Sequence, residues 1–173
     1  MDIELIYHDI TQFSESVDVI VNAANESLLG GGGVDGAIHY AAGLELLSEC
    51  RSLGGCKPGE AKVTKAYDLP QKYIIHAVGP RYESNPTPKE TLRSCYQKSL
   101  ELADNLGCKV IAFPSISTGV FHYPHKEAAE IVAEVLFSYK PKHLTKAIMV
   151  VYPGQSDSEI TYESYQEAFK KYE

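Results

Sequence analysis

The chain has 173 residues, of which 44% are hydrophobic and 23% charged, and its formal net charge at pH 7 is −7. This length and composition are typical of one globular domain, so we expect a single domain over residues 1–173 that folds without disulfides or a metal ion. The acidic balance disfavours a surface that binds a nucleic-acid backbone, so an anionic ligand would have to be bound by local backbone amides.

Two short apolar runs near the N-terminus, at residues 3–7 and 17–21, are bounded by turn residues, which predicts two strands. Asp9 and Ile10 follow the first run, at a place where an aspartate usually caps a turn or a helix.

The most informative segment follows the second strand and contains four consecutive glycines, at positions 30–33. Glycine lacks a Cβ, reaches positive φ and lets peptide N–H groups approach an anion closely. Small and apolar residues up to position 42 predict a short helix that ends at Gly43. The dipole of such a helix would favour phosphate at its N-terminus.

Asp35 and His39 are four residues apart on this helix, so their side chains share one face and can meet. Two simpler interpretations stay open. Asp35 can be a first-turn carboxylate favoured by the helix dipole, and His39 a half-buried, hydrogen-bonded histidine.

The spacing Gly31-x-Gly33-x-x-Gly36 also matches the formal dinucleotide-binding pattern. In that fold the first glycine follows the strand directly, whereas residues 22–29 intervene here, and no second strand ends in an acidic residue about 20 positions on. We therefore disfavour that interpretation.

Further along the chain, weak alternation at residues 61–67 predicts an edge strand, and apolar runs at 73–78, 110–113 and 147–152 predict buried strands. Capping boxes at Thr87-Pro88-Lys89-Glu90 and at Ser156-x-x-Glu159 predict two helix starts, with Gly107 ending the first helix. Another helix is predicted after Pro124. Alternating strands and helices indicate an α/β fold with ligand loops at the carboxyl ends of the strands.

The loop after the strand at 110–113 carries hydroxyls and a glycine at residues 114–121. It is either a second cradle of backbone amides for an anion or an ordinary turn whose serines cap the next helix. His122-x-x-His125 lacks a third ligand at a suitable spacing, and the four cysteines form no zinc-like pattern, so we expect reduced thiols, no metal and a cytoplasmic protein.

These motifs together resemble the macrodomain family, in particular its MacroD-type branch. The matching segments are Asn22-Ala-Ala-Asn25, Gly30-Gly-Gly-Gly33-Val-Asp35-Gly36, Ile38-His39, Cys50, Cys56, Gly59-Glu60-Ala61, Leu69-Pro70, Ile75-His76-Ala77-Val78-Gly79-Pro80 and Ser115-Ile-Ser-Thr-Gly-Val-Phe121. The resemblance implies a three-layer α/β/α sandwich around a mixed, mostly parallel sheet.

The resemblance also implies ADP-ribose as the ligand, with adenine bound by Asp9 and the diphosphate enclosed by the two loops. Phe121 would pack against the distal ribose. The expected ligand contacts are Asp9, Ile10, Asn22, Gly32, Gly33, Val34, Ser115, Ser117, Thr118, Gly119, Val120 and Phe121. Two residues depart from the family pattern, since His8 and His122 stand where many relatives have glycine.

For catalysis, the resemblance implies that Asn25 positions the distal ribose, Asp35 activates or orients water, and His39 orients Asp35 or the ribose. The expected activity is hydrolysis, without metal or cofactor, of O-acetyl-ADP-ribose or of the ester that joins ADP-ribose to an acidic side chain of a protein. Whether Asp35 or the α-phosphate of the substrate accepts the proton is left open.

The alternative function is a reader that binds ADP-ribose without turnover, and an RNA-binding role is disfavoured by the acidic charge. The expected partners are ADP-ribose, its O-acetyl ester and mono-ADP-ribosylated proteins. We expect a monomer that contacts neither nucleic acid nor membrane.

Overall fold

The computed structural model describes all 173 residues and contains six strands and five helices. The strands are β1 (Asp2–Tyr7), β2 (Val19–Ala24), β3 (Ala61–Lys65), β4 (Tyr73–Val78), β5 (Val110–Phe113) and β6 (Lys146–Val151). The helices are α1 (Gly33–Ala42), α2 (Leu44–Leu53), α3 (Pro88–Asn105), α4 (His125–Ser138) and α5 (Ser158–Lys170), and a short 3-10 helix spans Ile10–Gln12. Every predicted strand is present, and the bounds of β4 and β5 agree to the residue.

The strands form one sheet in the order β1-β6-β5-β2-β4-β3, in which only the β3–β4 pair is antiparallel. This confirms the mixed, mostly parallel sheet, and β3 lies at the edge, as its weak alternation predicted. Because β2 and β5 are parallel neighbours, the loops that follow them lie side by side at the carboxyl end of the sheet.

Helices cover both faces of the sheet, which confirms the three-layer arrangement. Helices α1 and α2 pack on one face around a cluster of 17 buried residues, and α3, α4 and α5 pack on the other around a cluster of 28. Successive residues of a strand point to opposite faces. Along β2, Val19 and Val21 therefore join the larger cluster, whereas Ile20 and Asn22 face α1 and α2.

Helix α2 was missed by the sequence-based prediction. It buries Leu46 and Cys50, four residues apart, and ends at Gly54 in the left-handed conformation. Gly43, with a φ of +92°, separates two consecutive helices instead of leading into a loop. The four-residue spacing of Leu46 and Cys50 was the feature of the sequence that could have indicated this helix.

The predicted start of α3 is confirmed, because the helix begins at Pro88 with Thr87 as its N-cap, but neither predicted capping box forms its side-chain hydrogen bond. The Thr87 side chain makes no capping hydrogen bond, and its hydroxyl lies 3.2 Å from that of Thr91. Helix α5 begins at Ser158, two residues after the predicted cap Ser156, and the Ser158 hydroxyl donates to the Tyr152 carbonyl at 2.6 Å. The Thr87 hydroxyl therefore lies beside Thr91 and not at the helix N-terminus, and Ser156 lies outside the first turn of α5.

The four cysteines, Cys50, Cys56, Cys95 and Cys108, are buried and unpaired. None of the helices has both the length and the apolar character needed to cross a bilayer.

Candidate active site

The glycine segment runs directly into helix α1. The helix starts at Gly33, whose φ of +59° is left-handed, and Gly32 precedes it as the N-cap. A Cβ on either glycine would meet no atom within 4 Å, so both backbones border open space. Val34, by contrast, packs against the core under α1. The unpaired N–H groups of the first turn and the helix dipole therefore favour an anion beside Gly32 and Gly33.

Close backbone contacts hold the glycine loop against the helix. A Cβ on Gly36 would lie 2.5 Å from the carbonyl oxygen of Gly31, which only glycine avoids. A Cβ on Gly31 would lie 3.3 Å from Oδ2 of Asp35 and 3.5 Å from Nδ2 of Asn25. The carboxylate and the amide therefore flank the same glycine.

Asp35 is buried in the first turn of α1, with 5% of its surface exposed. Asn22 donates to its Oδ1 at 2.8 Å, and His39 Nε2 lies 3.5 Å from the same oxygen. This confirms that Asp35 and His39 meet on one helix face. Burial raises the pKa of Asp35, although the Asn22 bond and His39 oppose the shift. A raised pKa makes this carboxylate a better proton acceptor than an exposed aspartate.

Asn22 connects Asp35 to a fully buried histidine on the neighbouring strand. Asn22 and His76 are opposite each other in the β2–β4 pair, and the Asn22 amide nitrogen lies 3.1 Å from His76 Nδ1. Because an amide nitrogen only donates, Nδ1 accepts and the ring proton is on Nε2. That nitrogen donates to the Thr64 hydroxyl at 2.9 Å, and the hydroxyl donates to the Lys65 carbonyl at 3.0 Å. All these donors are oriented consistently with an ionised Asp35.

The place of Asn22 differs from the one expected for a ligand contact. Asn22 is fully buried, and its amide contacts Asp35 and His76. Its Oδ1 has no hydrogen-bond partner. Asn22 therefore orients the Asp35 carboxylate from the buried side of the site, that of the sheet.

Three potential metal ligands also converge beneath Asp35. One ligand atom each of His39, Cys50 and His76 lies within 4.8 Å of the others. Both nitrogens of His76 are hydrogen bonded, and burial raises the pKa of the Cys50 thiol to about 11. This cluster therefore fits a metal poorly. The sequence offered a second candidate pair of metal ligands, His122 and His125. Nδ1 of His125 lies 3.0 Å from the Thr161 hydroxyl.

Asn25 follows β2 and shapes the loop that leads to the glycines. Its Nδ2 donates to the Gly30 carbonyl at 3.0 Å, and its Oδ1 accepts from the Ser27 hydroxyl at 2.7 Å and from the Leu28 N–H at 3.2 Å. Leu28 is buried with a left-handed φ of +62°. These bonds hold the Asn25 amide at the carboxyl end of β2, beside Gly31.

Two buried tyrosines hold the loop after β5. Tyr96 accepts from the Ile116 N–H at 2.9 Å and donates to the Pro114 carbonyl at 3.1 Å. The hydroxyls of Ser115 and Tyr165 lie 2.7 Å apart, and Thr118 donates to Ser115 at 2.8 Å.

The serines of this loop do not cap the next helix, because α4 begins at His125 with Pro124 as its N-cap. Ser117 is buried with a left-handed φ of +70°, and its hydroxyl has no partner. Gly119 and Val120 are exposed beyond it. The backbone amides of Gly119 and Val120 make no hydrogen bond within the protein, as an anion cradle next to the glycine loop requires, whereas the Ser117 hydroxyl packs against Gly79.

Asp9 caps the short 3-10 helix, as the simpler interpretation of the sequence suggested. Its Oδ1 accepts from both the N–H and the hydroxyl of Thr11, at 2.9 and 2.7 Å, and Ile10 is buried. The other oxygen, Oδ2, makes no hydrogen bond within the protein and can accept one from a ligand. His8 continues the strand pairing by donating to the Val151 carbonyl at 3.0 Å, so it does not require the conformational freedom of glycine.

His122, the other departure from the family pattern, has a left-handed φ of +60° and an exposed side chain. A histidine therefore occupies a backbone conformation that suits glycine.

The structure brings two further residues, His76 and Arg81, to the site, and the sequence alone had indicated no role for either. His76 lay within a matched motif, and its side chain faces Asn22 only because β2 and β4 pair in this register. The Arg81 guanidinium lies 4.5 Å from the centre of the Phe121 ring. These contacts join residues 54 and 40 positions apart, so no local pattern pointed to them.

The amino-acid sequence is similar to those of known macrodomain proteins. Residues 21–132 match the model of the Macro domain family. The ADP-ribose glycohydrolase MACROD2 of Xenopus laevis is 51% identical over 146 residues, which are 83% of this chain but 34% of that protein, so the chain spans about a third of its length.

Solved structures agree over almost the whole chain. A mutant macrodomain of Oceanobacillus iheyensis with ADPR has a TM-score of 0.87 at 40% identity, covering 98% of this chain and 92% of that one. A Trypanosoma brucei macrodomain in complex with ADP-ribose has a TM-score of 0.82 at 38% identity, covering 95% of this chain and 68% of that one.

Proposed function

Since this chain belongs to the macrodomain family, we propose that it binds ADP-ribose and hydrolyses the bond between the distal ribose and its substituent. The substituent is the acetyl group of O-acetyl-ADP-ribose or the acidic side chain of a mono-ADP-ribosylated protein. The observation that carries the proposal is the buried carboxylate of Asp35, oriented by Asn22 and placed beside Asn25 across Gly31.

The two loops supply the diphosphate site in this proposal. Gly32 and Gly33 border open space at the N-terminus of α1, where amides and the helix dipole favour phosphate. Gly119 and Val120 would contribute amides from the neighbouring loop. The free Oδ2 of Asp9 suits the amino group of adenine.

Asp35 would act on a water molecule held between its carboxylate and the distal ribose. The water oxygen adds to the acyl carbon, and the ribose hydroxyl leaves, or it adds to the anomeric carbon, and the carboxylate of the modified side chain leaves. Two groups can take the proton from water, namely Asp35 and an oxygen of the α-phosphate. Asn22 keeps Oδ1 of Asp35 hydrogen bonded, so Oδ2 is the oxygen available beside Gly31.

His39 lies against both the carboxylate and the glycine loop. Its Nε2 is 3.5 Å from Asp35 Oδ1, and a Cβ on Gly30 would lie 3.6 Å from its ring. A histidine in this place restricts the orientation of the Asp35 carboxylate.

The test measures release of ADP-ribose from a protein mono-ADP-ribosylated on glutamate, and of acetate from O-acetyl-ADP-ribose. We expect turnover of at least one substrate by the wild type and its loss in Asp35→Ala. Calorimetric titration should show that both proteins bind free ADP-ribose. Glu45→Ala, which removes an exposed carboxylate of α2, is the matched control and should keep full turnover.

The alternative function, a reader without catalysis, makes a different prediction. Both the wild type and Asp35→Ala would then bind ADP-ribose and release no product from either substrate. That outcome would refute the proposed hydrolase activity and leave ADP-ribose binding as the function.

A further inference from the structure

A cleft of about 300 Å³ lies between the residue segments that follow β2 and β4. We call it the Arg81 cleft. Its lining includes Asn25, Glu26, Pro58, Gly79, Arg81 and Phe121. Its volume is at the lower end of the range for small-ligand pockets, so it can hold a group larger than a few atoms.

The Arg81 cleft begins at the proposed reaction centre. Asn25 forms part of its lining, and the Asn25 amide shares Gly31 with the Asp35 carboxylate. Phe121, which also lines the cleft, belongs to the loop that would enclose the ligand. A substituent on the distal ribose would therefore enter this cleft as it leaves the ribose.

Arg81 is an exposed cation with no ion-pair partner in the protein. It takes part in none of the seven ion pairs, and its side chain donates no hydrogen bond. Its guanidinium lies 4.5 Å from the centre of the Phe121 ring, where the attraction between cation and ring restrains it. The neighbouring Tyr82 N–H donates to the Phe121 carbonyl at 2.9 Å, which joins the two segments. The planar group is thus held at the cleft with its N–H donors free.

Glu26 supplies the opposite chemistry on the same cleft. Its side chain is exposed and forms no ion pair, either with Arg81 or with any other residue. The cleft therefore offers both free donors and a free acceptor, which match the carbonyl and N–H groups of a peptide. An acetyl group has one carbonyl and no N–H donor, so it offers nothing for Glu26 to accept.

We infer that the Arg81 cleft binds the polypeptide of a mono-ADP-ribosylated protein next to the modified acidic residue, with Arg81 donating to a carbonyl oxygen of that peptide. The inference rests on the proposed function, because it takes the distal ribose to lie beside Asn25. It makes Arg81 a residue that favours a modified protein over the acetyl ester at this site.

The first experiment measures binding, so it does not depend on turnover. In an Asp35→Ala background, the Kd of a glutamate-linked mono-ADP-ribosylated peptide is compared with that of free ADP-ribose. We expect the peptide conjugate to bind about tenfold more tightly, the effect of one or two charge-assisted hydrogen bonds. Adding Arg81→Ala should abolish this preference, and adding Arg51→Ala, which removes another exposed arginine, should preserve it.

The second experiment compares kcat/KM of Arg81→Ala for the ADP-ribosylated peptide and for O-acetyl-ADP-ribose. We expect the loss to be at least about tenfold larger for the peptide, with Arg81→Lys intermediate because lysine keeps the charge but not the planar donors. Equal Kd values for peptide conjugate and free ADP-ribose in the first experiment would overturn the inference. Equal losses on both substrates would do so too, since Arg81 would then act on the ribose through Phe121. Absence of turnover by the wild type would refute the proposed hydrolase, while the binding comparison would still decide the role of the cleft.

Discussion

The amide nitrogen of Asn22 donates to Oδ1 of Asp35 over 2.8 Å, and both side chains are buried. The bond joins an inner strand of the sheet to the first turn of α1, so a fully buried side chain of the sheet orients the carboxylate. Because the same nitrogen also contacts His76, the orientation of Asp35 depends on how two strands pair.

Replacement of Asp35 by asparagine should stabilise the fold while it removes activity. Burial raises the pKa of Asp35, so its folded-state pKa lies above the unfolded one. The contribution of this group to stability is therefore greatest at low pH and is lost as the pH rises and the carboxylate ionises. A neutral asparagine has no such penalty and can still accept from Asn22.

We expect Asp35→Asn to have a higher Tm than the wild type at pH 7 and a kcat lower by about 100-fold or more, the usual contribution of a general base. Thermal unfolding and product release measure the two effects. A lower Tm would show that the carboxylate stabilises the fold, against the direction of its pKa shift.

Asn22→Ala should reduce kcat with little effect on ADP-ribose affinity. The substitution removes the donor that orients Asp35 and leaves His76 Nδ1 unpaired, which should cost about 1–3 kcal/mol of unfolding free energy. Thr64→Val removes the hydroxyl at the other end of the chain of hydrogen bonds. It should lower stability, but it should reduce kcat less than Asn22→Ala does.

Urea unfolding, calorimetric titration and the pH profile of kcat separate these effects. A merely structural role for Asn22 would leave kcat unchanged in the fraction that is folded. A parallel loss of ADP-ribose affinity would instead place Asn22 in the ligand site.

Stability should fall steeply with acid because of His76. Burial, and then the charge of His39, lower its pKa from 6.5 to about 3. The unfolded chain therefore takes up this proton first, so the stabilising contribution is complete above about pH 6.5 and is lost as the pH falls towards 3. The slope between these values should reach about 1.4 kcal/mol per pH unit from this group alone.

Urea titrations at several pH values between 7 and 4 measure this slope. His76→Gln should be less stable at pH 7, since the two ring contacts are altered, but its stability should depend less on pH over this interval. Equal slopes for the wild type and the variant would assign the acid sensitivity to other groups.

His122→Gly should stabilise the protein. A left-handed conformation costs a residue other than glycine about 1–2 kcal/mol, partly offset by the greater entropy of glycine in the unfolded chain. Since the imidazole is exposed, little packing is lost, and we expect a gain of about 0.5–1 kcal/mol.

His122→Ala removes the imidazole but keeps the unfavourable φ, so it is the matched control and should leave stability near the wild-type value. Denaturant unfolding of both variants decides the point. Equal stabilisation in the two variants would mean that the side chain, and not the backbone conformation, is the source.

Much of the fold followed from local patterns. Short apolar runs between turn residues predicted all six strands, because buried β-strands need such runs wherever they lie in the chain. Asp35 and His39 were expected to meet because a four-residue spacing brings side chains together on any α-helix. The glycine loop was recognised because few other sequences give so bare a backbone.

Local patterns failed where side chains had a choice of partners. The Thr87 and Ser156 boxes predicted capping bonds that do not form. The Thr87 hydroxyl lies beside Thr91, another hydroxyl, and α5 begins two residues after Ser156. Helix α2 was missed because Gly43 was taken as the end of helical structure, whereas its φ of +92° only turns the chain between two helices.

The sequence by itself determined the order of the six strands along the chain, the glycine loop and the helix face shared by Asp35 and His39, since each depends on residues a few positions apart. Only the tertiary structure decided which strands pair, and therefore that His76 stands behind Asn22 and that Arg81 lies over Phe121. The physical reason is that strand register and loop contacts depend on the packing of both faces of the sheet together. That packing joins residues distant in sequence and leaves no mark on the local pattern of either one.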